Sequence, residues 1–233
     1  MSLSYESEGI NLSNYYADKL NSQKLFKVYD TSIPRVRQYL AAEIGFVRDS
    51  LKGSERVLEL GAGYGRIVRE LAPYCGSIVG IDISSENVGL AEEYVRACPN
   101  TKMEVMDVHK LSFDSPFDVV LCLQNGLSSM RADSRVIEDI LRCTADRGAA
   151  YFSTYSSKFW EQRLLWFYEQ AEKGLLGEID TEQTKDGVIV CKDGFKARTH
   201  SEDELRSIGN ELGYPYEIKE VDESSLFLIV HKN

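Results

Sequence analysis

The 233-residue chain lacks several features that would assign it to a specialised class of proteins. No apolar stretch approaches the roughly 20 residues of a membrane-spanning helix, and the amino terminus has neither the basic start nor the apolar segment of a secretory signal. The 27 Lys and Arg residues are outnumbered by 37 Asp and Glu residues. They form no cluster that would contact a phosphate backbone or an anionic membrane. We therefore expect a cytoplasmic protein that binds neither nucleic acids nor membranes.

Metal-binding and disulfide patterns are missing as well. The five cysteines are scattered without a CxxC pair, and the three histidines lie far apart in the chain. A dispersed and odd-numbered set of thiols favours reduced, buried side chains over a zinc site or a disulfide framework, so we expect no metal. A chain of this length is most simply one domain with room for a full core.

The sequence does contain a regular alternation of short apolar strands with amphipathic helices. Amphipathic helices separate the predicted strands. A further amphipathic helix precedes them over residues 33–51, with Thr31 or Ser32 as its N-cap and Ala41 on its buried face. This alternation predicts βαβ units in a parallel, doubly wound sheet. Five strands are predicted in this part of the chain, at 56–60, 77–82, 101–107, 117–123 and 148–155.

The last third of the chain departs from this alternation. Residues 201–213 predict a capped helix, and the two apolar runs after it predict an antiparallel hairpin. The expected fold is therefore α/β, with a seven-stranded, Rossmann-like sheet that is mostly parallel and ends in that hairpin. Residues 1–30 form an N-terminal arm of the single domain. The irregular, aromatic-rich residues 156–200 form an insertion that we expect to cover the substrate.

Three glycines follow the first predicted strand, in the segment VLELGAGYGRI at 57–67. Glycine permits a tight turn there and lets a ligand approach the backbone closely. The next strand ends in Asp82, about 20 residues further on, where an acid can accept bonds from ribose hydroxyls. Together these features predict a nucleoside ligand. Arg66 stands where dinucleotide-binding turns carry a third glycine, and Glu59 suits a cationic ligand better than a pyrophosphate.

The motifs as a set point to one family. Four segments resemble, in order and spacing, the successive motifs of class I S-adenosylmethionine-dependent methyltransferases: VLELGAGYGRI, GIDIS, MDVHKL and FDVVLCL. The resemblance implies the cofactor S-adenosyl-L-methionine, with Asp82 on its ribose, Ile83 on its adenine and Asp107 accepting from the adenine amino group. It also implies a set of residues along the methionine half of the cofactor or beside the adenine, namely Glu59, Gly61, Ala62, Gly63, Val108, Leu123 and Gln124.

Several of these residues also have a purely structural interpretation. Asp82 is placed to cap the helix that follows it, and this role is compatible with ribose binding. Asp107 fits a solvated strand end. Glu59 fits an internal ion pair with Arg66 or Arg69. The sequence leaves these alternatives open.

The resemblance implies methyl transfer by in-line displacement, which needs alignment more than it needs a general base. Motifs typical of adenine-amino, cytosine-C5 and catechol methylation are absent, and CLQNGLSSM loosely resembles loops of glycine N-methyltransferase-like enzymes. We therefore expect a small-molecule acceptor. The candidate contacts are Asn125, His109 and Trp160. Each also has a structural interpretation: Asn125 fits an Asx turn, His109 an exposed loop and Trp160 the core. Tyr15 and Tyr16 are candidates to fold over the cofactor.

Two other functions fit the same sequence. A non-catalytic, S-adenosylmethionine-binding regulatory module would have a cofactor site without an adjoining acceptor cavity. An NAD-dependent oxidoreductase is disfavoured by Arg66 in the glycine turn. Aminopropyl transfer from the decarboxylated cofactor is a further alternative.

Overall fold

The computed structural model describes residues 23–233. Strands and helices alternate from the first strand to the fifth, as the sequence predicts. The strands of this part of the chain are β1 (Arg56–Leu60), β2 (Ser77–Asp82), β3 (Thr101–Val105), β4 (Phe117–Cys122), β5 (Thr144–Tyr155), β6 (Val188–Val190), β7 (Lys196–Arg198), β8 (Tyr216–Val221) and β9 (Ser225–His231). Its α-helices are α1 (Gln23–Tyr29), α2 (Pro34–Ser50), α3 (Arg66–Leu71), α4 (Ser85–Val95), α5 (Gly126–Ser129), α6 (Ser134–Arg142), α7 (Trp160–Glu172) and α8 (Glu202–Leu212).

Seven strands form one sheet in the order β3–β2–β1–β4–β5–β9–β8, and β6 and β7 form a separate antiparallel pair. The first five strands run parallel, whereas β9 lies antiparallel to both β5 and β8. The predicted seven-stranded, mostly parallel sheet with an antiparallel hairpin is therefore confirmed. The strand order reverses between β1 and β4, and the crevice at such a reversal is where open α/β sheets bind ligands.

Two strands differ from their predicted bounds by two or more residues, for identifiable reasons. β5 begins at Thr144 rather than at 148, and its pairing with β4 shifts register near its start. Asp146 and Arg147 interrupt the apolar pattern at that point, so the sequence marks only the second part of the strand. β3 ends at Val105, because Asp107 caps a short 3-10 turn instead of continuing the strand.

Helix α2 packs against α3, α7 and β8. Its predicted apolar face is largely correct, but Ala41 is exposed, whereas Tyr39 and Glu43 are fully buried. A buried carboxylate requires compensating hydrogen bonds, and Glu43 finds them at the carboxyl end of β4, as described below.

The segment that joins α1 to α2 is tied to α7. Thr31 and Ser32 do not cap α2; their hydroxyls donate to the Glu169 carboxylate at 2.6 and 2.8 Å. The indole N–H of Trp166 donates to the backbone carbonyl of Val28 at 3.0 Å. Bonds between groups about 138 positions apart thus hold the first described helix against the predicted insertion.

The predicted insertion over residues 156–200 contains α7, β6 and β7. Its apolar side chains join those of α1 and α2 in a hydrophobic cluster of their own. The largest members of this cluster are Tyr39, Phe159, Trp166, Phe167 and Phe195.

No helix among residues 23–233 has the length and apolarity required to cross a bilayer.

Candidate functional site

A cavity of about 260 Å³ lies at the carboxyl edge of the sheet, beside β1, β2 and β4. Its lining includes the glycine turn and side chains of α1 and α7. All ten residues that the sequence assigns to the cofactor line this one cavity. They are Glu59, Gly61, Ala62, Gly63, Asp82, Ile83, Asp107, Val108, Leu123 and Gln124.

The turn after β1 requires glycine for its backbone and for its packing. Gly61, Gly63 and Gly65 have φ angles of 69°, 55° and 83°, in the left-handed region that side chains disfavour. A Cβ on Gly63 would lie 2.6 Å from the Leu25 side chain, and one on Gly65 would lie 3.2 Å from Ala91. The glycines therefore make the tight turn and also let α1 and α4 approach it.

Asp82 lies at the end of β2 and lines the cavity. One carboxylate oxygen accepts from the Gly63 N–H at 2.9 Å, and the other accepts from the Ser84 N–H at 2.9 Å and the Asn87 amide at 3.1 Å. Burial raises the pKa of Asp82, and these hydrogen bonds oppose the rise. Ser84, rather than Asp82, is the N-cap of α4. Asp82 thus braces the glycine turn while it faces the cavity.

Glu59 is a buried acid just before the turn, with only 4% of its surface exposed. The Val68 N–H donates to its carboxylate, but its Oε2 has no hydrogen-bond partner within residues 23–233. Burial raises the pKa of Glu59 to about 8, against the attraction of Arg66. No ion pair joins it to Arg66 or Arg69 in the described structure, where the Arg66 carboxylate contact is Glu70 at 3.9 Å. The internal ion pair that the sequence left open is not formed.

Asp107 and His109 form a pair at another part of the cavity. The Asp107 Oδ1 accepts from the His109 backbone N–H and lies 2.9 Å from the ring Nδ1. Partial burial alone would raise the pKa of Asp107, but the His109 hydrogen bonds lower it. Ile83 lies on the same cavity wall with 51% of its surface exposed. A carboxylate beside an open apolar side chain is an arrangement that suits a polar, planar ring.

Glu43 is a site residue that the sequence analysis missed. Its Oε1 accepts from the Ser153 hydroxyl at 2.6 Å, and its Oε2 accepts from the Gln124 side-chain amide at 3.0 Å. Burial raises its pKa, and these bonds oppose the rise. Gln124 has a φ of 54°, a conformation that a non-glycine residue adopts only when its surroundings hold it. Glu43 therefore fixes Gln124 in the cavity wall.

The aromatic part of the cavity lining was also not predicted. Gln170 is buried beside it, and its amide donates to the Trp166 carbonyl at 3.3 Å. We call this part of the lining, with its rings and this amide, the aromatic chamber. Its lining residues come from α1, α5, α7 and the end of β5, and they are Val28, Tyr29, Ser129, Met130, Tyr155, Trp166, Phe167 and Gln170.

Asn125 does not line the cavity. It is buried, and its amide donates to the Arg198 carbonyl at 2.8 Å while its Oδ1 accepts from the Thr154 hydroxyl at 2.8 Å. Its side chain makes no cap bond at the start of α5. Asn125 therefore connects β7 to the end of β5 and makes no acceptor contact.

Trp160 is likewise absent from the cavity lining; it packs against the cluster under the insertion, near the Arg163 guanidinium. Among the three candidate acceptor contacts, only His109 lines the cavity. Tyr15 and Tyr16 lie outside the described residues. The tryptophan in the lining is Trp166, two turns of helix beyond the predicted one.

A parallel sheet with a glycine turn after β1, an acid at the end of β2 and a cavity at the strand-order reversal defines a nucleoside-binding α/β protein. Residues 57–148 match the family model described as a methyltransferase domain. The putative methyltransferase YqeM of Bacillus subtilis (strain 168) is 28% identical over 116 residues. That match covers 48% of this chain and 47% of YqeM, so it spans about half the length of the curated relative.

Solved structures share the fold over almost the whole chain. The DhpI–SAH complex superposes with a TM-score of 0.64 at 18% identity and covers 95% of each chain. Magnesium protoporphyrin IX methyltransferase (ChlM) from Synechocystis PCC 6803 with bound SAH gives a TM-score of 0.64 at 16% identity, over 94% of this chain and 99% of its own. At these identities the likeness concerns the fold. The family match concerns residues 57–148, and it identifies a methyltransferase domain within a fold that these solved structures share.

Proposed function

We propose that this chain transfers the methyl group of S-adenosylmethionine to a small-molecule acceptor. The observation that carries the proposal is a single cavity that is lined both by the glycine turn and by the aromatic chamber. A non-catalytic binding module needs only the glycine turn and the acids that end the strands. Aromatic walls in the same cavity are what a small-molecule acceptor requires.

The residues at the glycine turn fit the chemical parts of the cofactor. The unpartnered Glu59 carboxylate oxygen suits the ammonium of the methionine half. Asp82 is placed to accept from ribose hydroxyls, while Ile83 and Asp107 provide an apolar face and an acceptor for adenine. A buried carboxylate beside the turn also disfavours the pyrophosphate of NAD.

The cofactor, when bound, supplies a methyl group on a positively charged sulfur. The task left to the chain is to hold the acceptor in line with that group and to exclude water. Trp166 and Phe167 of α7 and Tyr29 of α1 wall the chamber for this purpose. Gln124, held by Glu43, forms part of the same cavity wall.

A screen with methyl-labelled S-adenosylmethionine tests the proposal. We expect label to appear in a pool of small metabolites, to be lost with Asp82→Ala, and to be retained with Asp114→Ala, an exposed acid outside the cavity lining. Label that appears only in protein or RNA would contradict the small-molecule acceptor. Binding of S-adenosylhomocysteine without transfer to any acceptor would favour the regulatory module.

A further inference from the structure

The aromatic chamber offers a ligand aromatic rings and uncharged polar groups. In the described structure none of its lining residues carries a charge, and the carboxylates of the cavity belong to β1, β2 and the turn after β3. Trp166 already uses its indole N–H on the Val28 carbonyl. Besides the tyrosine hydroxyls, the remaining polar side chains of the chamber are Ser129 and Gln170. Their hydrogen bonds determine which ligand the chamber suits.

Gln170 presents a hydrogen-bond acceptor. Its amide N–H donates to the Trp166 backbone carbonyl, which can only accept, so the other end of the amide is the carbonyl oxygen Oε1. Within residues 23–233 this oxygen has no hydrogen-bond partner, although Gln170 is only 4% exposed. Oε1 is not among the described atoms that are both unpartnered and sealed from solvent, so it opens on the cavity that Gln170 lines. A ligand O–H or N–H would remove the cost of leaving it unpaired.

Ser129 has the same preference. Its hydroxyl donates to the Asn125 carbonyl at 3.2 Å, which uses its one hydrogen and leaves its lone pairs to accept. The tyrosine hydroxyls can accept as well as donate, so they do not oppose this preference. The polar groups of the chamber therefore favour a ligand that donates a hydrogen bond.

Two guanidinium groups place positive charge beside the rings of the chamber. Arg66 lies 4.6 Å from the centre of the Tyr29 ring, and Arg163 lies 4.6 Å from that of Tyr155 and 5.3 Å from that of Phe167. Arg163 is 1% exposed, lies outside the cavity lining and donates to two backbone carbonyls of the insertion, which hold its charge in place. A cationic ligand would meet like charges with little screening, at rings whose cation–π attraction is already in use.

We propose that the aromatic chamber takes an uncharged, planar methyl acceptor that donates an O–H or N–H to Gln170, and that it rejects ammonium compounds. This inference rests on the proposed function, because it names the class of molecule that the acceptor compartment selects. Gln170 determines specificity through its hydrogen bond, while Arg66 and Arg163 determine it through their charge.

Titration calorimetry on the full chain, saturated with S-adenosylhomocysteine, tests the selection with four probes of one ring system. 2-Naphthol and 2-naphthylamine are uncharged donors at pH 7, 2-fluoronaphthalene has no donor, and 2-naphthylmethylamine is a cation because alkyl amines titrate near pH 10. We expect the wild type to bind at least one of the two uncharged donors about tenfold more tightly than either other probe. Whether the O–H or the N–H probe binds more tightly distinguishes the two kinds of donor.

Two substitutions of Gln170 should change this selection in opposite ways. Gln170→Leu should reduce the preference for a donor over 2-fluoronaphthalene to within about threefold, without weakening the latter. Gln170→Glu adds a carboxylate to the chamber and should raise the affinity for 2-naphthylmethylamine by about tenfold. Glu172→Gln, exposed on the same helix, is the control and should keep the wild-type order. Because a gain of affinity cannot come from misfolding, Gln170→Glu keeps the test decisive if Gln170→Leu does not fold.

Tighter binding of the cation than of either donor by the wild type would overturn the inference. So would equal affinity for all four probes, binding of none of them, or a Gln170→Leu variant that keeps the preference for a donor. These results leave the proposed function intact, because S-adenosylhomocysteine is bound in each titration. A wild type that does not bind S-adenosylhomocysteine would remove the proposed function and this inference together.

Discussion

The two compartments of the cavity are built in different ways. The glycine-turn compartment is formed by backbone of the turn and by acids at the ends of neighbouring strands. These residues converge because parallel strands end at the same edge of the sheet. The aromatic chamber draws on α1, α5, α7 and the end of β5, which meet only through tertiary packing. The first compartment follows from the strand order of the sheet, and the second from tertiary contacts between elements distant in the sequence. Cofactor and acceptor binding should therefore respond to different substitutions.

The largest effect is expected in the glycine-turn compartment. Asp82→Ala removes the proposed acceptor for the ribose and the bonds that hold the Gly63 and Ser84 backbone. We expect the Kd for S-adenosylhomocysteine to rise about 100-fold by calorimetry, since several charge-assisted hydrogen bonds are lost together. Asp114→Ala should leave this Kd unchanged. An Asp82→Ala variant that binds within about threefold of the wild type would contradict the assignment.

The converse experiment alters only the aromatic chamber. Gln170→Leu keeps the size of a buried side chain but removes its amide. We expect kcat/KM for an acceptor found in the labelling screen to fall about tenfold, since the loss of one buried polar contact is of this size. The Kd for S-adenosylhomocysteine should change by less than about twofold. Glu172→Gln, exposed on the same helix, is the control, and equal losses in both constants would erase the distinction between compartments.

Glu43 holds Gln124 in the cavity wall, and its removal should affect both stability and binding. Glu43→Leu leaves the Gln124 amide without its acceptor and the Ser153 hydroxyl without its partner. We expect the free energy of unfolding to fall by about 2 kcal/mol in urea titrations and the S-adenosylhomocysteine Kd to rise about fivefold. Glu43→Gln, which keeps an acceptor in place, should restore most of both. Loss of stability with unchanged affinity would make Glu43 a residue of the fold alone.

A pH dependence of stability should separate Glu59 from the other acids. Its pKa is raised to about 8 from the ordinary 4.5, so between these values the folded chain holds a proton that the unfolded chain has released. The free energy of unfolding should therefore fall as pH rises through this window, by at most about 1.4 kcal/mol per pH unit. Glu59→Gln should flatten the slope in urea titrations from pH 5.5 to 8.5.

The raised pKa values of Glu43 and Asp82 contribute slopes of the same sign. The informative quantity is therefore the difference between the wild type and Glu59→Gln at each pH. Parallel curves for the two proteins would show that Glu59 does not hold the proton in the folded state.

The sheet and the glycine-turn compartment of the cavity could be predicted from the sequence, and the reason is physical. Strand-ending residues such as Asp82 and the glycines 61, 63 and 65 are fixed by local backbone geometry, which leaves a pattern in the sequence. Ala41 and Glu43 show where the pattern fails, because helical periodicity alone cannot say which polar residue finds partners inside. The burial of Glu43 is compensated by hydrogen bonds from residues more than 80 positions away in the sequence.

The aromatic chamber was the least predictable part of the site. Trp160 and Trp166 lie on the same helix, and the sequence analysis named Trp160 as the candidate contact, whereas Trp166 lines the cavity. The position of α1 determines which tryptophan lines the cavity, because the Val28 carbonyl accepts from Trp166 and brings α1 over the cavity. Thr31 and Ser32 are residue types that commonly cap helices, yet both hydroxyls donate to the carboxylate of Glu169 in α7.

Calorimetric titration of the wild-type chain with S-adenosylhomocysteine, beside a matched titration with NADH, tests the central claim most directly. The arrangement of Glu59, Asp82 and Asp107 around one cavity predicts micromolar binding of S-adenosylhomocysteine at a single site and no binding of NADH. An absence of heat with S-adenosylhomocysteine, or tighter binding of NADH, would contradict the account.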